Sequence, residues 1–149
     1  VVMSPRAITA CLLLVLGSCG GEPESRPAGT RAPQASGSHC DVELDGPMSS
    51  NPGHATHATL SLRATSGWKV NKEAPLRVDV TSQDAKLPRS RLGLDEAFLV
   101  ADEEVRLEIP FAPHTEGPTV LEVKASFGVC DDVHCDVCRA HRELETLVN

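Results

Sequence analysis

Leu121-Glu122-Val123-Lys124-Ala125-Ser126-Phe127-Gly128-Val129 puts an apolar side chain at every odd position and a polar or small one between. A period of two is the pattern of a strand with one face buried and one face wet, and it excludes a helix, whose apolar positions recur every three to four residues. Val105, Leu107, Ile109 and Phe111, set against Arg106 and Glu108, repeat it upstream. So do Leu60, Leu62 and Ala64 against Thr59, Ser61 and Arg63, and Leu76, Val78 and Val80. A further strand is expected over about 142–148, whereas 92–100 fits either a short strand or a helical turn. Prolines 75, 88, 110, 113 and 118 are read as punctuation between these runs, where a missing N–H does no harm to a ladder.

Five to seven short strands in roughly ninety residues, with turn signals throughout and no amphipathic helix, predict an all-β fold: an immunoglobulin-like antiparallel β-sandwich, with a barrel as the alternative. A thioredoxin fold, which needs βαβ units, is not expected. The length of 149 residues suits one modest domain. A net charge of −7 and an aromatic fraction of 3% leave neither a phosphate-neutralising surface nor a base-stacking platform, so no nucleic-acid partner is expected.

Upstream of the strands the composition changes. Residues 20–39 hold ten Gly, Pro or Ser and only small apolar side chains, too few to bury a core. Gly46-Pro47-Met48-Ser49-Ser50-Asn51-Pro52-Gly53 continues the turn-rich character. A flexible linker over 19–56 is therefore expected, with a root-mean-square span on the order of 30 Å, and a folded unit over 57–149. Further upstream, Arg6 precedes the apolar run Ala7–Leu16, which is shorter than the roughly twenty residues that cross a bilayer. Residues 1–18 read as a signal peptide, and Leu16-Gly17-Ser18-Cys19 resembles the bacterial lipobox. The resemblance implies a lipidated Cys19 and a membrane-anchored periplasmic protein. Gly20, with no Asp beside the anchor, is similar to the pattern of lipoproteins sorted to the outer membrane.

Cys130-Asp131-Asp132-Val133-His134-Cys135-Asp136-Val137-Cys138-Arg139-Ala140-His141 follows directly on the decisive strand. Three thiols and two imidazoles in twelve residues fit a redox-active disulfide, a soft-metal site or structural stapling. With Cys11 in the signal peptide and Cys19 at the anchor, Cys40, Cys130, Cys135 and Cys138 remain, and four cysteines allow three pairings. A 130/135 bond closes a small loop, worth about 2 kcal/mol in chain entropy, and a 40/138 bond closes nearly the whole domain, worth about 4.7 kcal/mol. The contrast favours 130/135 as the exchangeable pair and 40/138 as the staple. Cys40 in the expected linker leaves a free thiol or an intermolecular bond open.

Asp131, Asp132 and Asp136 oppose Arg139, Arg142 and any charge on His134 and His141, a field that does not activate a thiolate. The expectation is a disulfide attacked by a partner's thiolate rather than a strong oxidant. As the metal alternative, Cys130, Cys135, Cys138 and His141 are spaced to close a tetrahedron around zinc or Cu(I). A purely structural or protein-binding sandwich is the third reading. Arg139 stands where a c-type haem motif needs His, so no cofactor is expected. His39, His54, His57 and His114 are read as loop or linker residues, and Trp68 as core or rim.

Two segments carry a family resemblance. Ser66-Gly67-Trp68-Lys69-Val70-Asn71-Lys72-Glu73-Ala74-Pro75 is similar to a G-aromatic-x-[IV]-N-x-x-x-P stretch in stand-alone relatives of the amino-terminal periplasmic domain of the thiol:disulfide interchange protein DsbD. Ser126-Phe127-Gly128-Val129-Cys130-Asp131-Asp132-Val133-His134-Cys135 resembles the S-x-x-V-C-x4-C pattern of the same family. The resemblance implies an immunoglobulin-like sandwich whose Cys130 and Cys135 take electrons from thioredoxin-fold periplasmic partners. Ala74 stands where relatives commonly carry an aromatic, Cys138 is an additional thiol, and no tyrosine is present to form an aromatic lid.

Overall fold

The computed structural model describes residues 34–36 and 39–149. The expected signal peptide (1–18), lipidated Cys19 and most of the linker lie outside the described residues. In chain order the strands are β1 (Gln34–Ser36), β2 (Cys40–Asp45), β3 (Ser49–Ser50), β4 (Thr56–Ala64), β5 (Lys69–Val70), β6 (Arg77–Thr81), β7 (Ala85–Lys86) and β8 (Arg91–Leu92). A single 3-10 turn at Leu94–Glu96 leads into β9 (Ala97–Val100), β10 (Glu104–Pro113), β11 (Gly117–Cys130) and β12 (Cys135–Val148). Among the described residues no helix is long and apolar enough to cross a membrane.

These strands form two sheets. One runs β1-β12-β11-β6-β8, with β3 on β12 and β5 on β11, and the other runs β2-β4-β10-β7, with β9 on β10. Taken in chain order, β2, β4, β10 and β9 occupy the A, B, E and D places of an immunoglobulin constant-type sandwich, and β6, β11 and β12 the C, F and G places. The fold is the all-β sandwich that the alternation predicts. Among the described residues every strand pairing is antiparallel except β3 on β12.

The alternating residues fill the space between the sheets. Leu60, Leu62, Val105, Leu107, Ile109 and Phe111 from one sheet meet Val78, Val80, Leu121, Val123, Phe127 and Val129 from the other, all essentially solvent-free. Each such side chain contributes about 1.5–3 kcal/mol of burial. The polar positions between them point outward: Arg63 bridges Glu43 at 2.8 Å and Glu104 at 2.9 Å across three strands.

Three expectations need correction. The linker does not extend to residue 56, because Cys40-Asp41-Val42-Glu43-Leu44-Asp45 is β2, paired along its length with β4. Its alternation buries Cys40 and Val42, so a six-residue run with two buried anchors is enough to take an edge place. The final strand starts at Cys135 rather than 142, since β12 pairs residue for residue with β11 from Gly117↔Val148 to Cys130↔Cys135. Prolines 110, 113 and 118 lie within strands, not between them. Pro110 is tolerated because β10 there pairs only with β4; β9 and β7 cover other parts of its second edge. The ambiguous 92–100 region divides into the end of β8, the 3-10 turn and β9.

Candidate functional site

The β11–β12 hairpin carries both disulfides, on opposite faces. Cys130 and Cys135 are directly opposed at its tip and bonded, with a sequence separation of 5. Cys138, opposite Phe127, points into the sandwich and is bonded to Cys40 of β2, in the other sheet, with a separation of 98. Cys138 is fully buried and Cys40 nearly so, at 0% and 8% exposed. Cys130 is half-buried and Cys135 exposed. One bond therefore sits where solvent and other molecules reach it, and the other is sealed between the sheets.

The four-residue turn between the exposed cysteines is organised by Asp131. Its Oδ1 accepts the backbone N–H of Val133 at 2.7 Å and of His134 at 2.5 Å, while its own N–H donates to the His134 carbonyl at 2.9 Å. Those two N–H donors stabilise the carboxylate and hold the Asp131 pKa below the ordinary aspartate value, the His134 N–H most of all. Val133, at the apex, is 80% exposed.

Segment 69–74 lies along the other side of β11. Val70 pairs with Val129 and Lys69 with Cys130. The Val70 N–H donates to the Asp102 carbonyl at 2.7 Å, and the Asn71 N–H to the Gly128 carbonyl at 2.9 Å. Asn71 then turns the chain: its Oδ1 accepts the Glu73 N–H at 3.0 Å and its carbonyl the Ala74 N–H at 3.3 Å. Gly128 permits this close approach, since a Cβ there would lie 3.0 Å from Ala74 Cβ and 3.4 Å from Asn71 Cβ. An open cleft of about 500 Å³ results, bounded by 69–73, Asp102 and the Cys130–Cys135 tip.

The charges around the cleft differ from those expected along the chain. Arg142 is elsewhere, its Nε donating to the Val42 carbonyl at 2.8 Å. The cations at the cleft are Lys69 and Lys72, brought from sixty residues away. Lys72 Nζ donates to Asp102 Oδ1 at 2.6 Å, and that hydrogen bond, with the nearby charges of Lys72 and Lys69, depresses the Asp102 pKa. The only sequence signal for these lysines is their place in the 66–75 motif. His39, in a turn just before β2, stacks on Trp68 with ring centroids 3.9 Å apart and planes 8° from parallel. Trp68 packs against the core edge.

The proposed metal tetrad is not assembled. Cys138 faces the interior and is bonded to Cys40, and His141 lies six positions from Cys135 on β12, about 20 Å along an extended strand. His141 instead lies 3.9 Å from both Glu122 and Glu143. Among the described residues no group of three or more His, Cys, Asp or Glu side chains is placed to hold a metal ion.

No protein-family model and no curated protein matches the chain. A crystal structure of a conjugative transposon lipoprotein from Bacteroides eggerthii DSM 20697 is similar at 11% identity, over 74% of this chain and 98% of that one, with a TM-score of 0.43. A likeness this loose assigns neither fold nor function.

Proposed function

We propose that the chain is a lipid-anchored periplasmic β-sandwich, held at the outer membrane through Cys19, that exchanges disulfides with thioredoxin-fold partners through Cys130 and Cys135 without a cofactor. The observation that carries this reading is the placement of the Cys130–Cys135 bond at an exposed hairpin tip beside an open cleft, against a second disulfide that is buried. The resemblance of 66–75 and 126–135 to DsbD-family motifs supports it, because the structure gives both segments a place at this one site. The lipobox-like Leu16–Cys19 supports the anchor.

In the forward step a partner thiolate attacks one sulfur of the bond, forming a mixed disulfide and releasing the other cysteine as a thiolate. The partner's second thiolate then attacks its own bonded sulfur, and the second cysteine leaves. The partner dithiol is oxidised to a disulfide, and this chain gains two electrons and, after protonation, two protons. Trapping tests the reading. A Cys130→Ala chain retains the exposed Cys135 thiol and is expected to accumulate as a mixed disulfide with a thioredoxin-fold protein in envelope extracts. Failure of both the Cys130→Ala and the Cys135→Ala chains to capture such a protein sinks the proposal.

A further inference from the structure

We infer that Lys69 is the electrostatic partner of the Cys130 sulfur: it directs attack to Cys135 and stabilises the Cys130 thiolate released when the bond opens. This inference rests on the exchange reading above and assigns the roles within it. Lys69 is paired directly with Cys130, and Cys130 with Cys135, so the three residues form one row across β5, β11 and β12. Directly opposed residues of an antiparallel ladder have their side chains on the same face, with Cβ atoms about 5 Å apart, within reach of a lysine stem. Burial parity agrees: Val70 and Val129, the next pair, are buried at 5% and 0%, which turns Lys69 and Cys130 to the outer face.

Accessibility and charge then divide the two sulfurs. Cys135 is exposed and Cys130 half-buried, so an incoming thiolate meets Cys135 first. In that attack the new bond joins the incoming sulfur to Cys135, the Cys130–Cys135 bond breaks, and its electron pair leaves on Cys130. A leaving thiol with a lower pKa leaves faster, and a nearby ammonium lowers a thiol pKa. The other charged groups facing the site are largely committed or peripheral. Lys72 is hydrogen-bonded to Asp102, and the Asp131 carboxylate is turned onto the N–H groups of Val133 and His134. Glu73 and Asp132 line the cleft but are exposed, His134 is exposed in the turn, and Asp136, opposite Val129, is exposed on the other face of the ladder. Asp102 also feels Lys69, and a thiolate on Cys130 offers that ammonium a second anion in the same cleft.

The test compares wild-type, Lys69→Gln and Lys69→Arg full chains. Opening of the Cys130–Cys135 bond by dithiothreitol is followed by alkylation and peptide mass analysis, and the Cys130 pKa of the reduced chain is read from the pH dependence of its alkylation. Lys69→Gln is expected to slow opening about threefold and to raise the Cys130 pKa by about one unit toward the free-thiol value of about 8.5. Lys69→Arg is expected to restore both. Unchanged rate and pKa in Lys69→Gln, with the wild-type bond opening normally, overturn the role of Lys69 alone. A wild-type bond that dithiothreitol does not open overturns the exchange reading and Lys69 with it.

Discussion

Cys135 and Cys138, three residues apart on β12, point to opposite sides of the same sheet: one is bonded across the hairpin tip, the other through the core to β2. An odd spacing on a strand does this by pleat alone. It keeps a thiolate formed at Cys135 away from the Cys40–Cys138 bond, so opening the outer disulfide leaves the inner one intact.

Graded reduction of the folded chain is therefore expected to proceed in two separate stages. Cys130 and Cys135 become alkylatable under mild dithiothreitol, and Cys40 and Cys138 only with denaturant present. Simultaneous labelling of all four cysteines would show that burial does not protect the inner bond.

Removing the inner bond with Cys40→Ala and Cys138→Ala is expected to cost about 3–5 kcal/mol, because it releases a long loop and empties a buried site. The paired Cys130→Ala and Cys135→Ala change releases a much shorter loop and is expected to cost about 2 kcal/mol or less. Urea unfolding of the two double variants measures the difference, and equal midpoints would contradict it.

Gly128→Val is expected to push segment 69–74 off β11, since its Cβ alone would meet Ala74 at 3.0 Å. Amide hydrogen exchange at Asn71, whose N–H is bonded to the Gly128 carbonyl, should accelerate about fivefold, on the order of the roughly 1 kcal/mol that one hydrogen bond contributes. Unchanged protection at Asn71 would mean that the segment is held elsewhere.

The hairpin turn is expected to lose order in acid. The Asp131 pKa is lowered on folding, so the stability it lends is present above the ordinary value of 3.8 and is lost as pH falls through the lower folded value. The amide resonances of Val133 and His134 should titrate together with a midpoint below 3.8. A midpoint at or above 3.8 would remove Asp131 as the organiser of the turn.

How much of this was legible before folding depends on the scale of the signal. The central strands were, because Thr59–Ala64, Val105–Phe111 and Leu121–Val129 alternate with a period of two that a helix does not keep. β2 was not, because its Val42 and Leu44 stand in an acidic run inside turn-rich sequence, and only pairing with β4 reveals that Val42 is buried. The first half of β12 was hidden by its own chemistry: Cys, Asp and His stood out as a candidate site rather than as a strand, yet they continue the ladder of the half beyond. At the site, the two cysteines could be singled out from spacing. Lys69 and Lys72 could not be connected to them, because a contact across sixty residues depends on β5 joining β11.

The inner disulfide also determines how the molecule answers tension. A pull on the chain from its N-terminal side reaches Cys40 and passes through sulfur into Cys138, bypassing the 97 residues between them. With the load applied between the N-terminal side and the C-terminal end, the sandwich can lose β1 and the run beyond Cys138, but residues 41–137 carry no load and cannot be drawn out. Drawn out between its two ends, the domain would thus yield only a short extension before a covalent stop.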